Sequence, residues 1–276
     1  MTYVVHGATG AQGSPVVAAL AAAGRSVTAL ARRPESLPEG VRSLSIDAGS
    51  AEQLTAAYRD AAGVFLHFPV TGPELRAAHV AAVAAALRDA RPARVVYSTS
   101  GGPAEDEVVK ALDEAGVPYA VVAPRYYFEN LLMPLVQDGI RREGVLRYPL
   151  KDGYAASWSS HLDIADVALA LFDRTAIGGT VEVGQYPAIT GDDLAAAFAA
   201  AYGRAVAFQA QSPADMGAQL APVMGEDAAA VVQGGYEYAA TLPHNEIDES
   251  RSAQRLLGLT PRTAVQWLSD LGLAKV

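Results

Sequence analysis

The sequence predicts an α/β fold in which a doubly wound parallel sheet is flanked by helices, and two observations carry this prediction. Short runs rich in β-branched residues alternate with longer alanine- and leucine-rich segments through the first half of the chain. Strands that alternate with helices imply βαβ crossovers, which place consecutive strands parallel in one sheet. In addition, a glycine-rich turn directly follows the first strand, where such sheets bind phosphate groups.

The first half of the chain contains six strand candidates and four helix candidates. The strand candidates are short and apolar: Tyr3–His6, Ser26–Ala31, Arg42–Ile46, Gly63–His67, Arg94–Ser98 and Tyr119–Ala123. The helix candidates are longer and richer in alanine: Pro15–Ala23, Ala51–Arg59, Leu75–Arg88 and Glu105–Glu114. Pro15 is expected at the first helical position. Gly24 and Gly116 are expected to end helices as C-caps.

After about Pro124 the alternation weakens. Two aromatic-rich segments are predicted to be loops, Tyr126–Phe128 and Tyr148–Trp158. The later elements are a helix, a strand, a further helix, a helical segment and two short helices, at Ile164–Phe172, Thr180–Val183, Asp192–Tyr202, Gln209–Thr241, Ser252–Leu257 and Thr263–Leu271. We therefore expect a dinucleotide-binding lobe over residues 1–125. A smaller α+β substrate lobe is expected over residues 126–276, partly interleaved with the first.

Composition excludes several classes of function. The 276 residues carry a net charge of −9, which disfavours binding to nucleic acids or membrane surfaces. The chain has no cysteine, so thiolate metal sites and a cysteine nucleophile are excluded. Asp163 and Asp166 fit a helix-start cap and a solvated carboxylate better than a metal pair, and no metal is predicted. We expect a cytoplasmic protein, because the N-terminus lacks a signal peptide and no apolar stretch is long enough to span a membrane.

The turn Gly7-Ala8-Thr9-Gly10-Ala11-Gln12-Gly13 is predicted to bind the pyrophosphate of a dinucleotide. Gly7 permits a tight turn, Gly10 lets the backbone approach the pyrophosphate, and Gly13 lets the following helix pack on the sheet. The free N–H groups and the dipole at the helix N-terminus favour an anion. A strand–turn–helix without a ligand is the alternative interpretation of the same pattern.

The end of the second strand indicates which dinucleotide. NAD sites usually carry an acidic residue here for the ribose 2′-hydroxyl, whereas NADP sites carry arginine. In this chain the strand is followed by Arg32 and Arg33, with no carboxylate at the turn. Both side chains suit a 2′-phosphate and can stack on adenine, although solvated loop arginines would look the same. The sequence therefore predicts NADP(H) rather than NAD(H).

Several motifs, in this order and spacing, resemble the NmrA-like group of atypical short-chain dehydrogenases/reductases. They are Gly7–Gly13, Ala31–Pro34, Ile46-Asp47 before Ser50–Leu54, Val95–Ser100, Gly116–Tyr119 before Pro124–Asn130, Trp158–Ala168, Thr180–Gly184 with Thr190–Asp192, and Leu259–Trp267. The resemblance covers nearly the whole chain. It implies an N-terminal Rossmann lobe and a smaller C-terminal lobe that closes over the nicotinamide.

The resemblance also implies a position for each part of the cofactor. Thr9, Ala11 and Gln12 would meet the pyrophosphate, and Arg32 and Arg33 the 2′-phosphate. The remaining positions follow the ends of later strands: Asp47 and Ala48 by adenine, Phe68 and Pro69 by the ribose, and Ser98, Thr99, Ser100, Pro124 and Tyr126 by the nicotinamide.

The sequence lacks the proton donor that short-chain reductases commonly use. No tyrosine is followed four residues later by a lysine. The position at which the resembling family often has a lysine is Glu105, and Lys110 lies about one and a half turns further along the same helix. The proton would then come from water or from another side chain. The candidate catalytic residues are Ser98 or Ser100 at a strand end, Tyr126 or Tyr127 in the aromatic segment, and His161, which can titrate near neutrality.

Three functions remain compatible with these residues. The first is an NADPH-dependent oxidoreductase that reduces a quinone-like or other carbonyl small molecule, acting as a monomer or homodimer. Quinones suit a site without a strong acid, because their reduced products are stabilised anions. The second is a non-catalytic NADP(H)-binding redox sensor that regulates a partner. The third is a non-redox reaction on an aromatic substrate in which the cofactor is structural.

Overall fold

A computed structural model describes residues 2–31, 36–69, 71–100 and 106–273 of the chain. Within them the strands are β1 (Thr2–Val5), β2 (Ser26–Leu30), β3 (Arg42–Leu44), β4 (Ala61–Leu66), β5 (Val95–Ser98), β6 (Tyr119–Pro124), β7 (Tyr126–Tyr127), β8 (Val145–Tyr148), β9 (Trp158–Ser159), β10 (Gly179–Val183) and β11 (Ala207–Ala210). The α-helices are α1 (Gly13–Ala22), α2 (Ala51–Tyr58), α3 (Pro73–Ala90), α4 (Asp106–Ala115), α5 (Pro134–Asp138), α6 (His161–Asp173), α7 (Gly191–Tyr202), α8 (Pro213–Met224), α9 (Glu226–Thr241), α10 (Ala253–Leu257) and α11 (Ala264–Asp270).

Seven strands form one sheet in the order β10-β6-β5-β4-β1-β2-β3. The pairs β1–β2, β2–β3, β1–β4, β4–β5 and β5–β6 are all parallel. The chain thus builds the sheet outward from β1, first to one side and then to the other. This order confirms the predicted doubly wound Rossmann fold. The change of direction beside β1 creates the crevice at which such sheets bind ligands.

Local sequence explains most helix ends. Gly24 and Gly116 follow α1 and α4 with φ of 69° and 64°, a conformation that glycine adopts at least cost, and this confirms the two predicted caps. The Ser50 side chain accepts a hydrogen bond from the Gln53 amide and so caps α2. One detail of the prediction is wrong. Helix α1 begins at Gly13, so Pro15 lies inside the first turn and not at the first position.

The chain divides into two compact units, each with its own core. Unit 1 comprises residues 1–124, 161–182 and 250–259, and unit 2 comprises residues 125–160, 183–249 and 260–276. The core of unit 1 packs the apolar faces of α2, α3 and α4 against the sheet, around fully buried side chains such as Leu54, Tyr58 and Leu66. The core of unit 2 is dominated by aromatic side chains, among them Tyr148, Trp158 and Trp267.

Two predictions about the second half of the chain are wrong. The segments predicted to be aromatic loops contain the short strands β7 and β9, which pair in parallel with Tyr126 opposite Trp158. The predicted helical segment over Gln209–Thr241 begins with the end of β11, which pairs with β8. The rest of that segment is helical, as expected, and divides into α8 and α9 at Gly225. Among the described residues, no helix is both long and apolar enough to cross a membrane.

Candidate functional site

The predicted cofactor residues of unit 1 follow the carboxyl ends of strands in the large sheet. The glycine turn follows β1, Asp47 comes soon after β3, and Phe68 lies just beyond β4. Ser98 ends β5, and Pro124 ends β6. Parallel strands bring these ends to one edge of the sheet, where α/β folds bind ligands.

Two glycines of the turn are required, Gly7 by its backbone conformation and Gly13 by steric contacts. Gly7 has a φ of 57°, which few side chains tolerate. A Cβ on Gly13 would lie 2.2 Å from the Gly7 carbonyl oxygen and 2.8 Å from the His6 carbonyl oxygen, so only glycine fits without moving the backbone. At Gly10 the corresponding distance to the Gly7 oxygen is 3.1 Å, which is tight but tolerable. The turn is closed by a 2.7 Å hydrogen bond from the Gly10 amide to the same oxygen.

The turn leaves a surface suited to an anion. Gly7, Thr9, Gly10 and Ala11 are exposed, whereas Gln12 and Gly13 are buried. The first turn of α1 contains no acidic residue, and no side chain of the described residues caps its N-terminus. The N–H groups and dipole of this helix end are therefore available to a negatively charged ligand.

Gln12 connects the glycine turn to the end of β5. Its side chain is buried, and its amide nitrogen donates a 3.0 Å hydrogen bond to the Thr99 carbonyl oxygen. The Thr99 amide in turn donates to the Val122 carbonyl oxygen of β6, at 3.0 Å. Polar contacts thus link the glycine turn after β1 to the residue that follows β5 and, through it, to β6. The sequence gives no sign of this contact, because Gln12 and Thr99 are far apart along the chain.

The other predicted cofactor residues differ in exposure. Asp47 is exposed and accepts a 2.9 Å hydrogen bond from the Gly49 amide, which shapes the turn before α2; the neighbouring Ala48 is partly buried. Phe68 is buried, and the Arg76 guanidinium lies over its ring at 4.3 Å from the centroid, whereas Pro69 is exposed. Arg76, on α3, is a cationic residue of this region that sequence reasoning missed.

Three predicted cofactor residues at the end of β5 differ in their exposure to solvent. Ser98 and Thr99 are buried, whereas Ser100 is exposed. The Ser98 hydroxyl has no hydrogen-bond partner within the described ranges, and the side chain is fully inaccessible to solvent. Pro124 at the end of β6 is also buried. In the described conformation Ser100, not Ser98, can therefore meet a ligand from solvent.

Histidines concentrate in unit 1. His6 is buried below the glycine turn, with Nε2 at 2.5 Å from the Tyr58 hydroxyl. Burial lowers the pKa of His6 to about 4, so the ring is neutral at physiological pH. His67 Nδ1 lies 3.1 Å from the Ser98 carbonyl oxygen, and burial lowers the pKa of His67. His161, the first residue of α6, is near enough to lower the pKa of His67 further.

Three residues singled out in the sequence are not among those that the structure describes. Arg32, Arg33 and Glu105 lie outside the described residues. Lys110, on α4, is exposed and lies 3.9 Å from Glu114 in an ion pair on its own helix. Within the described ranges, no group of three or more histidine, aspartate or glutamate residues has a metal-binding arrangement.

Tyr126 lies in unit 2 within a stack of aromatic rings. Its ring is stacked on Trp158 at 5.1 Å between centroids and on Tyr236 at 6.0 Å. The Tyr126 hydroxyl is buried near the Asn245 amide, without a hydrogen bond of normal geometry among the described residues. Burial raises the pKa of Tyr126 above its ordinary value, and the hydroxyls of Tyr236 and Tyr154 raise it further. Tyr126 is therefore a neutral hydrogen-bond donor and a poor proton source.

A cavity of about 300 Å³ opens beside Tyr126 in unit 2. Besides Tyr126, three other stretches of chain form its walls. They contribute Pro149, Leu150 and Tyr154, then Gln211 and Pro213, and finally Ala240. Tyr154 donates a 2.9 Å hydrogen bond to the Ala239 carbonyl oxygen, and Lys151 donates to the Ala240 carbonyl oxygen. The aromatic segment pointed to this region, but nothing in the sequence pointed to Gln211.

Comparisons with known proteins agree with this architecture. The sequence profile of the NmrA-like family matches residues 1–256. The chain belongs to the NmrA-like family. Among curated proteins, no sequence matches this chain.

Three solved structures show the fold of this NmrA-like protein. A nucleoside-diphosphate-sugar epimerase from Staphylococcus aureus is 18% identical, with a TM-score of 0.80 over 97% of this chain and 99% of its own. An NADPH-dependent quinone oxidoreductase from Escherichia coli, complexed with NADPH, is 22% identical, with a TM-score of 0.76 over 98% and 99%. A triphenylmethane reductase from Citrobacter sp., complexed with NADP(H), is 20% identical, with a TM-score of 0.75 over 96% and 98%.

Proposed function

We propose that this protein is a cytoplasmic NADP(H)-dependent oxidoreductase that reduces a quinone-like or other carbonyl small molecule. The observation that carries the proposal is the glycine turn. Gly13 admits no Cβ, and the exposed turn residues precede a helix N-terminus that has neither an acidic residue nor a side-chain cap among the described residues. This combination suits a pyrophosphate better than it suits a purely structural turn.

We assign the parts of NADP(H) to residues of unit 1 in the order in which the strand ends carry them. Thr9, Ala11 and Gln12 would hold the pyrophosphate, and Arg32 and Arg33 would pair with the 2′-phosphate. The remaining contacts would come from the strand ends, with Asp47 and Ala48 by adenine, Phe68 and Pro69 by the ribose, and Ser100, the exposed residue after Ser98 and Thr99, toward the nicotinamide. The bound cofactor would supply a hydride. Two structurally similar reductases are described as complexes with NADPH or NADP(H), which supports this assignment.

The protonation chemistry favours quinone-like acceptors over simple ketones. A ketone becomes an alkoxide on hydride addition and needs a proton donor of suitable pKa, whereas a reduced quinone is a stabilised anion. The sequence has no Tyr-x-x-x-Lys pair, and the raised pKa of Tyr126 makes this tyrosine a hydrogen-bond donor rather than an acid. Tyr126 would orient an acceptor oxygen. His161 is the remaining candidate donor, because a protonated imidazole can act as a general acid.

A second candidate is a non-catalytic NADP(H)-binding redox sensor. The absence of the Tyr-x-x-x-Lys pair is the observation that favours it, and a structure of NmrA itself, 20% identical, aligns over 77% of this chain with a TM-score of 0.62. A sensor would bind NADPH and NADP⁺ with clearly different affinities and would turn over no acceptor. Loss of NADPH absorbance with a panel of quinones and ketones separates the two functions.

The cofactor assignment is tested by titrating the protein with NADPH and NADH. We expect the double variant Arg32→Ala/Arg33→Ala to bind NADPH about tenfold more weakly or worse and NADH almost unchanged, because charge-assisted hydrogen bonds contribute about 1.5–3 kcal/mol each. Arg59→Ala, at an exposed arginine that follows α2, is the matched control and should change neither affinity. Equal affinity of the wild-type protein for NADPH and NADH would refute the assignment.

A further inference from the structure

The wall of the cavity in unit 2 combines buried apolar residues with exposed ones. Pro149, Leu150 and Tyr154 are buried, whereas Lys151 and Ala210 are exposed. A volume of about 300 Å³ lies at the small end of the range for small-molecule sites. Proline, leucine and tyrosine side chains offer broad apolar contact and few hydrogen bonds, so this space suits one flat aromatic ligand.

Most polar side chains of this wall are already engaged or shielded. The Ser212 hydroxyl donates a 2.6 Å hydrogen bond to the Asp215 carboxylate and accepts one from the Asp215 amide at 3.0 Å, which caps α8. The Tyr154 hydroxyl donates to a carbonyl oxygen in the last turn of α9. At Gln211 the side-chain oxygen is buried and the amide nitrogen donates to another glutamine, and the Tyr126 hydroxyl is buried as well. None of these side chains of the wall offers a charge to a ligand.

Lys151 supplies the charge that the other side chains lack. Its ammonium group donates a hydrogen bond to the Ala240 carbonyl oxygen, and Ala240 lines the same cavity. The hydrogen bond therefore holds the ammonium group at the cavity wall. An ammonium group has three N–H donors, and Lys151 has no second partner among the described residues. No aspartate or glutamate of the described ranges lines the cavity, so its wall carries one positive charge and no negative one.

An apolar cavity with a lysine at an exposed position of its wall is complementary to an aromatic anion. The ring would pack on the apolar residues, and the negative group would meet Lys151, where water still solvates both charges. This exposure avoids the cost of burying an unpaired charge. We infer that the cavity binds flat aromatic compounds that carry a carboxylate or sulfonate group and prefers them to neutral analogues. This inference rests on the proposed function, to which it adds the charge of the acceptor and Lys151 as a specificity-determining residue.

The inference is tested by binding, measured by calorimetry without NADPH. The probes are 2-naphthoate and 2-naphthamide, which share a ring system and nearly the same shape but differ in charge. We expect 2-naphthoate to bind the wild-type protein about fivefold more tightly at low salt, the upper end for an exposed ion pair. This preference should shrink as the salt concentration rises, because ions screen exposed charges.

Three variants assign the preference to its residue. Lys151→Gln keeps a hydrogen-bond donor but removes the charge, and it should bring the affinity ratio of the two probes to about one by weakening 2-naphthoate. Lys151→Arg keeps the charge and should keep the preference. Lys110→Gln, at an exposed lysine on α4 in unit 1, is the matched control and should leave the ratio unchanged. Thermal melting of each variant checks that it is folded.

Equal affinity of the wild-type protein for the two probes, or a preference for 2-naphthoate that persists in Lys151→Gln, would overturn the inference. NADPH titration and quinone turnover of the same samples report separately on the proposed function. A protein that oxidises NADPH with quinones but binds both probes equally contradicts the ligand class alone. One that prefers 2-naphthoate but does not bind NADPH contradicts the proposed function alone.

Discussion

Replacing Gly13 with alanine tests the steric argument for the glycine turn. The new Cβ would lie 2.2 Å from the Gly7 carbonyl oxygen, 2.6 Å from its carbonyl carbon and 2.8 Å from the His6 carbonyl oxygen. All three are backbone atoms, and all three distances are below about 3.0 Å, which real Cβ contacts do not reach. No side chain can move aside to relieve the overlap. The start of α1 or the turn itself must shift.

The size of the effect follows from the cost of overpacking, about 1–3 kcal/mol for each inserted methyl group. For a chain of this size 1 kcal/mol corresponds to about 2–4 °C, so the melting temperature should fall by about 2–12 °C. The shift also moves the amides that would face the pyrophosphate. We therefore expect the affinity for NADPH to fall at least about tenfold, equivalent to about 1.4 kcal/mol.

The assays are thermal unfolding without ligand and fluorescence titration with NADPH. Gly235→Ala is the matched control, because Gly235 is exposed within α9 and a Cβ there meets nothing within 4 Å. That variant should be unchanged or up to about 1 kcal/mol more stable, since alanine is the better helix former. If Gly13→Ala melted and bound NADPH like the wild-type protein, the tight packing of the turn would be wrong.

Two further predictions concern buried polar groups near the turn. Burial lowers the pKa of His6 to about 4. Between pH about 6.5 and 4 the unfolded chain therefore binds more protons than the folded protein does. The free energy of unfolding should fall by up to ~3 kcal/mol as the pH drops through this range. His6→Gln should flatten that dependence in urea unfolding; an unaltered slope would contradict the burial argument. Gln12→Ala removes the hydrogen bond to Thr99 and should lower stability by about 1 kcal/mol and NADPH affinity severalfold, whereas unchanged NADPH binding would show that this contact does not support the site.

The prediction of the Rossmann unit from sequence succeeded because its signals are local. Strands such as β4 and β6 are short apolar runs between alanine-rich helices, and each was predicted to within a few residues. The glycine caps after α1 and α4 are also local, because a positive φ at Gly24 or Gly116 follows from the end of the preceding helix.

The short strands of unit 2 were missed for the opposite reason. A strand of two residues, such as β7 or β9, has no periodicity of its own and exists only because its partner lies beside it. The start of α6 was also predicted too late. The helix begins at His161, whereas the apolar pattern from which it was predicted begins at Ile164.

The sequence by itself determined the parallel sheet, the glycine turn and the absence of a tyrosine–lysine pair, because each follows from a pattern of residues close together in the chain. Only the tertiary structure decided which distant polar groups meet. Gln12 donates a hydrogen bond to Thr99, and His6 contacts the Tyr58 hydroxyl. Gln211 and Tyr126 line the same cavity. These contacts depend on the packing of elements that are far apart in the chain, and no spacing or composition in one sequence encodes them.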